Sequence, residues 1–532
     1  MLDTEEAFTL GRGNLQTDIE FGVTKQPDAS ELYNIPRVRV TYGLSDRADL
    51  TFEYEYLAVD NTDFVVYDSG TVKTDHDEVG TGDLRIKLKV VPYEFDFHKM
   101  GFQFVTKLPN ASQSSGLGTN ETDFTWQVLF SSDWGRLKTH LNAGMAVLGD
   151  PARNSDQNDF FLWGLGGEYT LTDSLTLMGE LEGSTAGENE VKGFTENIAE
   201  NSEGMARARA RLALTGPVGD WRWGLSGFKG LNSHTEDWGI QVGLSKRWEV
   251  GSPDADAQPP RREGSTHESY FNPMKTEEAY TIGERNFRGE ASLGYVNQVD
   301  ESDLYILPDL TLGWGIGQWA DVEFEFQYLK VKDTVRFQED GSVEKDSVDD
   351  DGVGDVRVKF KASPLETQYG KLGAQFVTKV PSADNKDTLG TDEADFLARL
   401  LFSTDWSRFF GDSALGRLKT HINAGIALQG DPYELGRQDD FFIWGILAEY
   451  ELMPALVVWT EVEGSTNGKS SHNISEGDFG NAYGEARLGL SGPLPDVGFL
   501  HDWKWGVTAS AGLNDNSRDW TASLGVSHTW GL

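Results

Sequence analysis

Residues 50–56 read Leu-Thr-Phe-Glu-Tyr-Glu-Tyr, and their pattern decides the fold class. Apolar and polar residues alternate, so Glu53 and Glu55 fall on one side while the aliphatic and aromatic side chains fall on the other. A strand produces this separation, whereas a helix would distribute the same residues around its axis. Residues 37–42 and 206–212 alternate in the same way, with arginines on the polar side. Each half of the chain has about twelve such runs, each near the roughly 9–11 residues that a tilted membrane strand needs.

The chain contains two copies of one unit. Residues 4–9 return as residues 276–281, and residues 82–89 return as residues 354–361 with the same spacing. An insertion around residues 407–416 shifts the later matches. Self-similarity of this kind indicates two tandem structural units.

The copies are joined by a segment rich in Pro, Asp and Ser, which is typical of a linker. We therefore predict a first β-barrel unit at residues 1–250, a linker at 251–275 and a second β-barrel unit at 276–532. Each copy closing on itself would give two barrels of about 12 strands, and the alternative is one barrel of about 24 strands. The long junction and the lead-in kept at residues 4–11 and 276–283 favour two barrels, because closure within each copy leaves no strand edge unpaired.

Connection lengths and aromatic residues place the barrels in a membrane. Long connections such as residues 184–203 alternate with tight ones such as residues 133–135. Outer-membrane barrels show this alternation, with the short turns in the periplasm. Tryptophans such as Trp134 and Trp406 recur where an interfacial girdle would lie. The sequence thus predicts an all-β, transmembrane, antiparallel up-and-down β-barrel protein in the outer membrane of a Gram-negative bacterium, in contact with lipid and lipopolysaccharide. A pair of soluble sandwiches would not need an apolar face on every strand.

Composition excludes several classes of function. The formal net charge of −40 argues against a nucleic-acid partner, which needs a basic face. With no cysteine, the chain has no disulfide, thiolate metal site or cysteine nucleophile. No glycine-rich nucleotide loop and no zinc-protease or serine-hydrolase motif appears on a matching scaffold. We therefore predict no cofactor and no enzymatic activity.

Some motifs resemble a known family. Residues 2–11, followed by an alternating strand, resemble the start of the outer-membrane transporters grouped as the "MetA-pathway of phenol degradation" family. Residues 82–87 and 101–104 are similar to that family too. The resemblance implies a barrel of about twelve strands and uptake of small compounds, aromatic ones among them. The chain departs from the family in being a tandem duplicate, and a charged lumen disfavours an apolar substrate.

The polar faces should line the lumen, because a charge at the bilayer midplane costs roughly 2–4 kcal/mol. Two ladders of charge are kept in both copies, one of cations and one of glutamates. We predict that the following side chains line the lumen: Arg85, Lys87, Lys89, Arg357, Lys359, Lys361, Glu180, Glu182, Glu461 and Glu463. The two ladders lie on different strands, so they could face each other across a pore. Either these charges line a partly open pore or they pair and fill the lumen, since barrel size alone does not decide.

A His/Asn pair is repeated, His140 with Asn142 and His421 with Asn423. An esterase could use such a pair. However, the two side chains are two residues apart on a strand and fall on its lumen face, and no serine at a usable strand position stands out. Lumen lining is the preferred interpretation.

A short acidic run is a weak Ca²⁺ candidate, with Asp346, Asp349 and Asp351 as possible ligands. It lacks the complete EF-hand pattern. A solvated acidic loop is the preferred interpretation, and no metal site is predicted.

Three functions follow from these predictions. The leading one is an outer-membrane channel or transporter for small molecules, working by passive diffusion through a charged lumen. The second is a structural or interaction barrel with a blocked lumen, whose acidic loops bind a protein partner or bridge lipopolysaccharide through divalent cations. The third is a sheath for an electron-transfer cytochrome, which needs the wide single barrel. Any of the three is compatible with a homo-oligomer.

Overall fold

A computed structural model divides the chain into two compact units, Met1–Ala257 and Gln258–Leu532. The structure describes residues 4–26, 30–66, 71–108, 110–111, 117–118, 122–147, 160–185, 206–233, 235–249, 274–298, 302–316, 319–337, 343–380, 382–383, 389–390, 395–428, 441–453, 455–466, 482–495 and 502–531, the side chains of 61–76 and 334–348 excepted. Most of the predicted linker at 251–275 lies outside these residues. Its last two positions, Met274 and Lys275, are described and contact strands of the second unit.

The first unit is a thirteen-stranded antiparallel sheet. Its strands are β1 (Asn14–Lys25), β2 (Glu31–Ser45), β3 (Ala48–Val66), β4 (Thr71–Thr81), β5 (Leu84–Phe95), β6 (His98–Leu108), β7 (Asp123–Asp133), β8 (Leu137–Val147), β9 (Phe160–Thr172), β10 (Leu175–Ser184), β11 (Arg207–Val218), β12 (Trp221–Gly230) and β13 (Trp238–Glu249).

The second unit repeats this arrangement. Its strands are β14 (Asn286–Asn297), β15 (Asp303–Gly315), β16 (Ala320–Phe337), β17 (Val343–Val353), β18 (Val356–Glu366), β19 (Lys371–Val380), β20 (Asp395–Asp405), β21 (Leu418–Leu428), β22 (Phe441–Met453), β23 (Leu456–Ser465), β24 (Tyr483–Pro493), β25 (Lys504–Gly512) and β26 (Trp520–Gly531).

Each sheet closes on itself. In the first unit β1 pairs with both β2 and β13, and in the second β14 pairs with both β15 and β26. β5 pairs with the first part of β3 and β4 pairs with its later part, so β4 and β5 share one position in the wall. Thirteen strands with one shared position make twelve positions around each barrel. The prediction of two tandem barrels is confirmed, and the alternative of one barrel of about 24 strands is wrong.

The acidic region after β3 is more regular than expected. Residues 58–81 are largely polar, as in a loop, but β3 and β4 pair across most of this stretch. The equivalent acidic run in the second copy belongs to β17, which pairs with β16, so it is a strand and not the predicted loop, although Asp349 and Asp351 are exposed as a solvated segment would be. The alternating apolar strand simply continues into polar sequence, where pattern alone gives no signal for a strand.

The strands sort their side chains as the alternation predicted. Phe52 and Tyr54 of β3 are 45% and 40% exposed, whereas Glu53 and Glu55 between them are each 5% exposed. In β8, Leu141 is 52% exposed although it follows the buried His140. An apolar surface outside and a charged surface inside is the reverse of a soluble barrel.

The insertion detected in the second copy forms two short helical turns, α1 (Ser407–Phe410) and a 3₁₀ turn (Ala414–Arg417), between β20 and β21. The ring of Phe410 stacks on Trp406, with centroids 5.9 Å apart. Among the helices that the structure describes, none is long and apolar enough to cross a membrane.

We expect residues 1–250 to fold alone, because every described pairing of β1 to β13 lies within that unit. The fragment should insert into detergent micelles as a barrel whose gel migration changes on boiling. A shorter fragment ending before β13 should fail, since β1 would lose its closing partner. A 1–250 fragment that stays unfolded where the full chain folds would contradict independent closure.

Candidate functional site: the barrel lumen

Residues 4–11, which precede β1, run inside the first barrel. The amide of Thr4 donates to Glu180 Oε2 of β10 at 2.7 Å, and the amide of Ala7 donates to Ser131 Oγ of β7 at 2.8 Å. The amide of Leu10 donates to the Asp49 carboxylate of β3 at 3.1 Å. Because β3, β7 and β10 are well separated around the wall, only a segment within the lumen reaches all three. We call residues 4–11 and their counterpart 276–283 the lead-in of each barrel.

The second lead-in makes the equivalent contacts. The amide of Thr276 donates to Glu461, that of Ala279 to Ser403 Oγ at 2.7 Å, and that of Ile282 to Asp321 Oδ2 at 2.9 Å. The repeat marked these residues as a lead-in, but their position inside the lumen could not be predicted from it.

Two glycines of the wall make room for the lead-ins. A Cβ at Gly43 of β2 would lie 1.9 Å from the carbonyl oxygen of Gly11, and one at Gly315 of β15 would lie 1.7 Å from that of Gly283. Neither distance is possible for a real side chain. The lead-in therefore passes directly against the wall at this point, where only glycine fits.

The cation ladder pairs with neighbouring carboxylates. Arg85 Nη1 lies 3.1 Å from Glu55 Oε1 of β3. Lys87 Nζ lies 2.9 Å from Glu53 Oε2 and 3.7 Å from Glu5 Oε1 of the lead-in. The remaining ladder pairs are Lys89 with Asp49 at 3.8 Å, Arg357 with Glu325 at 2.6 Å, Lys359 with Glu325 at 2.5 Å, and Lys361 with Glu277 at 3.7 Å.

The glutamate ladder has other partners. Glu180 Oε1 lies 3.0 Å from Arg211 Nε of β11, and Glu182 pairs with Arg209 of the same strand. The pairs in the second barrel are Glu461 with Arg487 at 2.7 Å and Glu463 with Lys275 at 3.1 Å. The two ladders are thus held by adjacent strands and by the lead-ins rather than by each other. In each barrel, ion pairs therefore line the inner wall and the lead-in runs within the lumen.

The repeated histidine has a serine partner that the sequence did not reveal. Ser131 Oγ lies 2.8 Å from His140 Nδ1, and Ser403 Oγ lies 2.8 Å from His421 Nδ1. Each serine lies directly opposite its histidine on the neighbouring strand. The pair could have been found only from the register of these two strands, which is the same in both copies. Both serines are 0% exposed and accept a lead-in amide, which leaves no path for a substrate to the hydroxyl. The arrangement anchors the lead-in.

One of the two repeated asparagines anchors its lead-in as well. In the second barrel, Asn423 Oδ1 accepts the amide of Glu277 at 2.8 Å and Asn423 Nδ2 donates to the Glu277 carbonyl at 2.8 Å. This two-way contact needs a side chain with both a donor and an acceptor. In the first barrel both polar atoms of the Asn142 side chain are buried without a hydrogen-bond partner among the described residues, so the asparagine anchors the lead-in in the second barrel alone.

Asp83, in the repeated Gly82-Asp83 motif, holds the connection after β6 at the end of the barrel opposite the short turns. Asp83 Oδ1 accepts the amides of Asn110 at 3.1 Å and Ala111 at 2.9 Å, in the connection after β6. Ala111 then packs in an apolar cluster with Leu57 and other buried residues. The second barrel repeats this with Asp355, whose Oδ1 accepts the amides of Ser382 at 3.0 Å and Ala383 at 3.1 Å. The described residues of this connection therefore pack against the barrel wall at the end away from the short turns.

The second barrel contains a cavity of about 520 Å³. Thr276, Glu277 and Glu278 of the lead-in form part of its lining, together with charged wall residues such as Arg357 and Lys359. The lead-in is therefore a boundary of the open volume in this lumen.

The two described members of the weak Ca²⁺ candidate, Asp349 and Asp351, each accept a hydrogen bond from a different residue of β16. Asp349 Oδ1 accepts the amide of Asp333 at 3.2 Å, and Asp351 Oδ2 accepts the hydroxyl of Tyr328 at 2.5 Å. The side chain of Asp346 lies outside the described residues. The two described carboxylates therefore link β17 to β16 within their hairpin.

A closed antiparallel barrel with an apolar exterior and a charged interior is a transmembrane barrel of the bacterial outer-membrane type. The chain is an outer-membrane protein that carries two such barrels in tandem.

Comparisons with known proteins leave the family open. No family model matches the chain, and no curated protein matches it. Among solved structures, an outer membrane channel from Pseudomonas putida F1 aligns at 15% identity and a TM-score of 0.37, over 47% of this chain and 100% of that chain. The NanC porin aligns at 10% identity and a TM-score of 0.29, over 44% and 98%. The ferric enterobactin receptor PfeA of Pseudomonas aeruginosa, as a mutant, aligns at 10% identity and a TM-score of 0.23, over 98% and 81%. The family resemblance of residues 2–11 stays a prediction.

Proposed function

We propose that the protein lets small polar molecules cross the outer membrane passively through its barrels, and that each lead-in controls the width of the path. The observation that carries this proposal is the position of the lead-in. The wall of each barrel is closed by its own strand pairing, so the lead-in is not needed to complete it. A separate segment that occupies the lumen and is held by hydrogen bonds and ion pairs can narrow a path without being part of the wall.

The charge of the lumen supports a polar substrate. Lys87, Glu53 and Glu5 form one charged cluster in the first barrel. In the second barrel, Lys359 forms an ion pair with Glu325. An apolar solute would have to displace water from these groups without replacing its hydrogen bonds. Small molecules with charged or hydrogen-bonding groups suit this lining better.

The blocked-lumen alternative has one observation in its favour, namely that all ten ladder residues are ion-paired. A lumen that is only a packed polar core would look the same. The cytochrome sheath loses its basis, because it required one wide barrel and each barrel here has twelve positions and an internal segment.

Conductance in planar bilayers tests the proposal. Residues 4–10 and 276–282 are replaced by equal numbers of Gly and Ser, in one barrel or in both. The unchanged protein should conduct weakly, each single replacement should raise the conductance, and the double replacement should raise it by about the sum of the two. If the double variant folds, shown by heat-modifiable migration, and still does not conduct, the wall side chains themselves block the lumen. That result would favour the structural or interaction barrel.

A further inference from the structure

We propose that Glu6, His140 and Glu168 bind a divalent transition-metal ion, with Zn²⁺ as the probe, and that this ion fastens the lead-in to the wall of the first barrel. Neither the metal site nor the test below depends on transport through the lumen.

The three side chains converge from three separate segments. Glu6 lies on the lead-in, His140 on β8 and Glu168 on β9. One ligand atom from each side chain lies within 4.8 Å of the other two. His140 Nε2 is 3.9 Å from Glu168 Oε1, which is too long for a hydrogen bond. The gap suits an ion between the two groups better than a direct contact.

The environment of the His140 imidazole resembles that of a metal-binding histidine, with one ring nitrogen hydrogen-bonded and the other without a hydrogen-bond partner among the described residues. His140 is 2% exposed, and its Nε2 has no hydrogen-bond partner among the residues that the structure describes. A buried polar atom left in that state is costly, and few occur in native proteins. Its other nitrogen, Nδ1, is fixed by Ser131 Oγ at 2.8 Å. Histidine ligands of metals typically orient the ring through such a bond on the second nitrogen.

The donor set suits zinc or a related ion. One imidazole nitrogen and two carboxylate oxygens are ligands that Zn²⁺ accepts, with a water molecule in the fourth position. Metal–ligand distances near 2.1 Å in a tetrahedral site put the ligand atoms roughly 3.4 Å apart. The three ligand atoms, which lie within 4.8 Å of one another, would have to approach by at most about 1.4 Å to reach that spacing. A cation there also offsets the repulsion between the two carboxylates.

The second barrel keeps the same three residue types as Glu278, His421 and Glu449. His421 Nε2 lies 3.7 Å from Glu449 Oε2 and again lacks a hydrogen-bond partner in the described part of the chain. Here, however, Lys419 Nζ lies 3.0 Å from Glu449 Oε1 and supplies a positive charge.

The first barrel differs at that lysine. The ammonium of the corresponding Lys138 lies over the ring of Phe8 in the lead-in, 4.9 Å from its centroid. We therefore expect one tight site per chain, in the first barrel, and weaker binding in the second.

Zn²⁺ titration of the full-length protein in detergent tests the site, after treatment with a chelator and measured by isothermal calorimetry. The unchanged protein should bind about one Zn²⁺ tightly. His140→Gln and Glu6→Gln should each weaken that binding by at least about tenfold. Replacing the bound Zn²⁺ by Co²⁺ should give the visible absorption of a tetrahedral site. His98→Gln is the matched control, because His98 Nδ1 also bonds a serine, Ser132 at 2.7 Å, without the two carboxylates.

Hydrogen–deuterium exchange then tests the fastening. Zn²⁺ should slow exchange at the lead-in amides of the unchanged protein and of His98→Gln, but not of Glu6→Gln. Glu6 lies outside the wall, so that variant keeps a complete barrel and separates metal binding from folding. Binding of equal strength in the unchanged protein, His140→Gln and Glu6→Gln would overturn the site, as would failure of the unchanged protein to bind. Tight binding without any effect on lead-in exchange would overturn the fastening role.

Discussion

Replacing Gly43 and Gly315 with alanine is expected to release both lead-ins while the barrels stay folded. The single-channel conductance in planar bilayers should then rise several-fold. A methyl group at either position would overlap the backbone of Gly11 or Gly283, at 1.9 and 1.7 Å. The wall strand β2 pairs with β1 and with β3 along most of its length, with a register shift after Gly43, whereas the lead-in is held by scattered contacts. The lead-in should therefore move.

A cysteine reporter measures this release without relying on transport. Ala7 is 0% exposed and the chain has no native cysteine, so Ala7→Cys should react slowly with a maleimide in the parent and quickly with Gly43→Ala added. Gly167→Ala is the control, because a Cβ there meets only the Lys138 carbonyl oxygen at 3.6 Å, an ordinary contact. Slow labelling in a folded Gly43→Ala variant would show that the wall yields instead of the lead-in.

Replacing Arg211 with methionine is expected to lower the free energy of unfolding by about 3–5 kcal/mol, because it leaves a buried carboxylate without its counter-charge. The side chains of Arg211 and Glu180 are 1% and 0% exposed, and their atoms lie 3.0 Å apart. Arg211 Nη1 also donates to Gln241 Oε1 at 2.6 Å, so a second contact is lost. Arg487→Met should act similarly in the second barrel, where Arg487 pairs with Glu461 and Glu485.

Urea unfolding of the protein in lipid vesicles gives the measurement. Adding Glu180→Gln to Arg211→Met should restore part of the lost stability, since the remaining group is then neutral and can still accept the Thr4 amide. Lys246→Met is the control, as its partner Asp220 is 87% exposed at 3.7 Å and such pairs contribute at most about 1 kcal/mol. Equal effects of Arg211→Met and Lys246→Met would show that water in the lumen screens the inner pairs as it does the outer one.

The candidate site was predicted in part. The side of the wall on which Lys87, Glu180 and His140 lie follows from period-two alternation, and the structure places all three inside. Their partners did not follow. Glu53 faces Lys87 from another strand, and Ser131 faces His140 only because β7 and β8 pair in one register. Alternation fixes a face but not a register, so pairs across strands carry no signal in a single sequence.

The sequence by itself determined the repeat, the sorting of charge to one face and the strands that alternate, though not the polar strand sequence in β4 and β17. These properties are local, because each depends on residues one or two positions apart or on a copy of the same stretch. Only the tertiary structure decided that each copy closes on itself and that the lead-in lies inside the lumen. The contacts responsible join Thr4 to Glu180 and Ala7 to Ser131, 176 and 124 residues apart. Nothing near Thr4 in the chain reports a carboxylate so distant in sequence, and the barrel wall brings the two together only when its last strand pairs with its first.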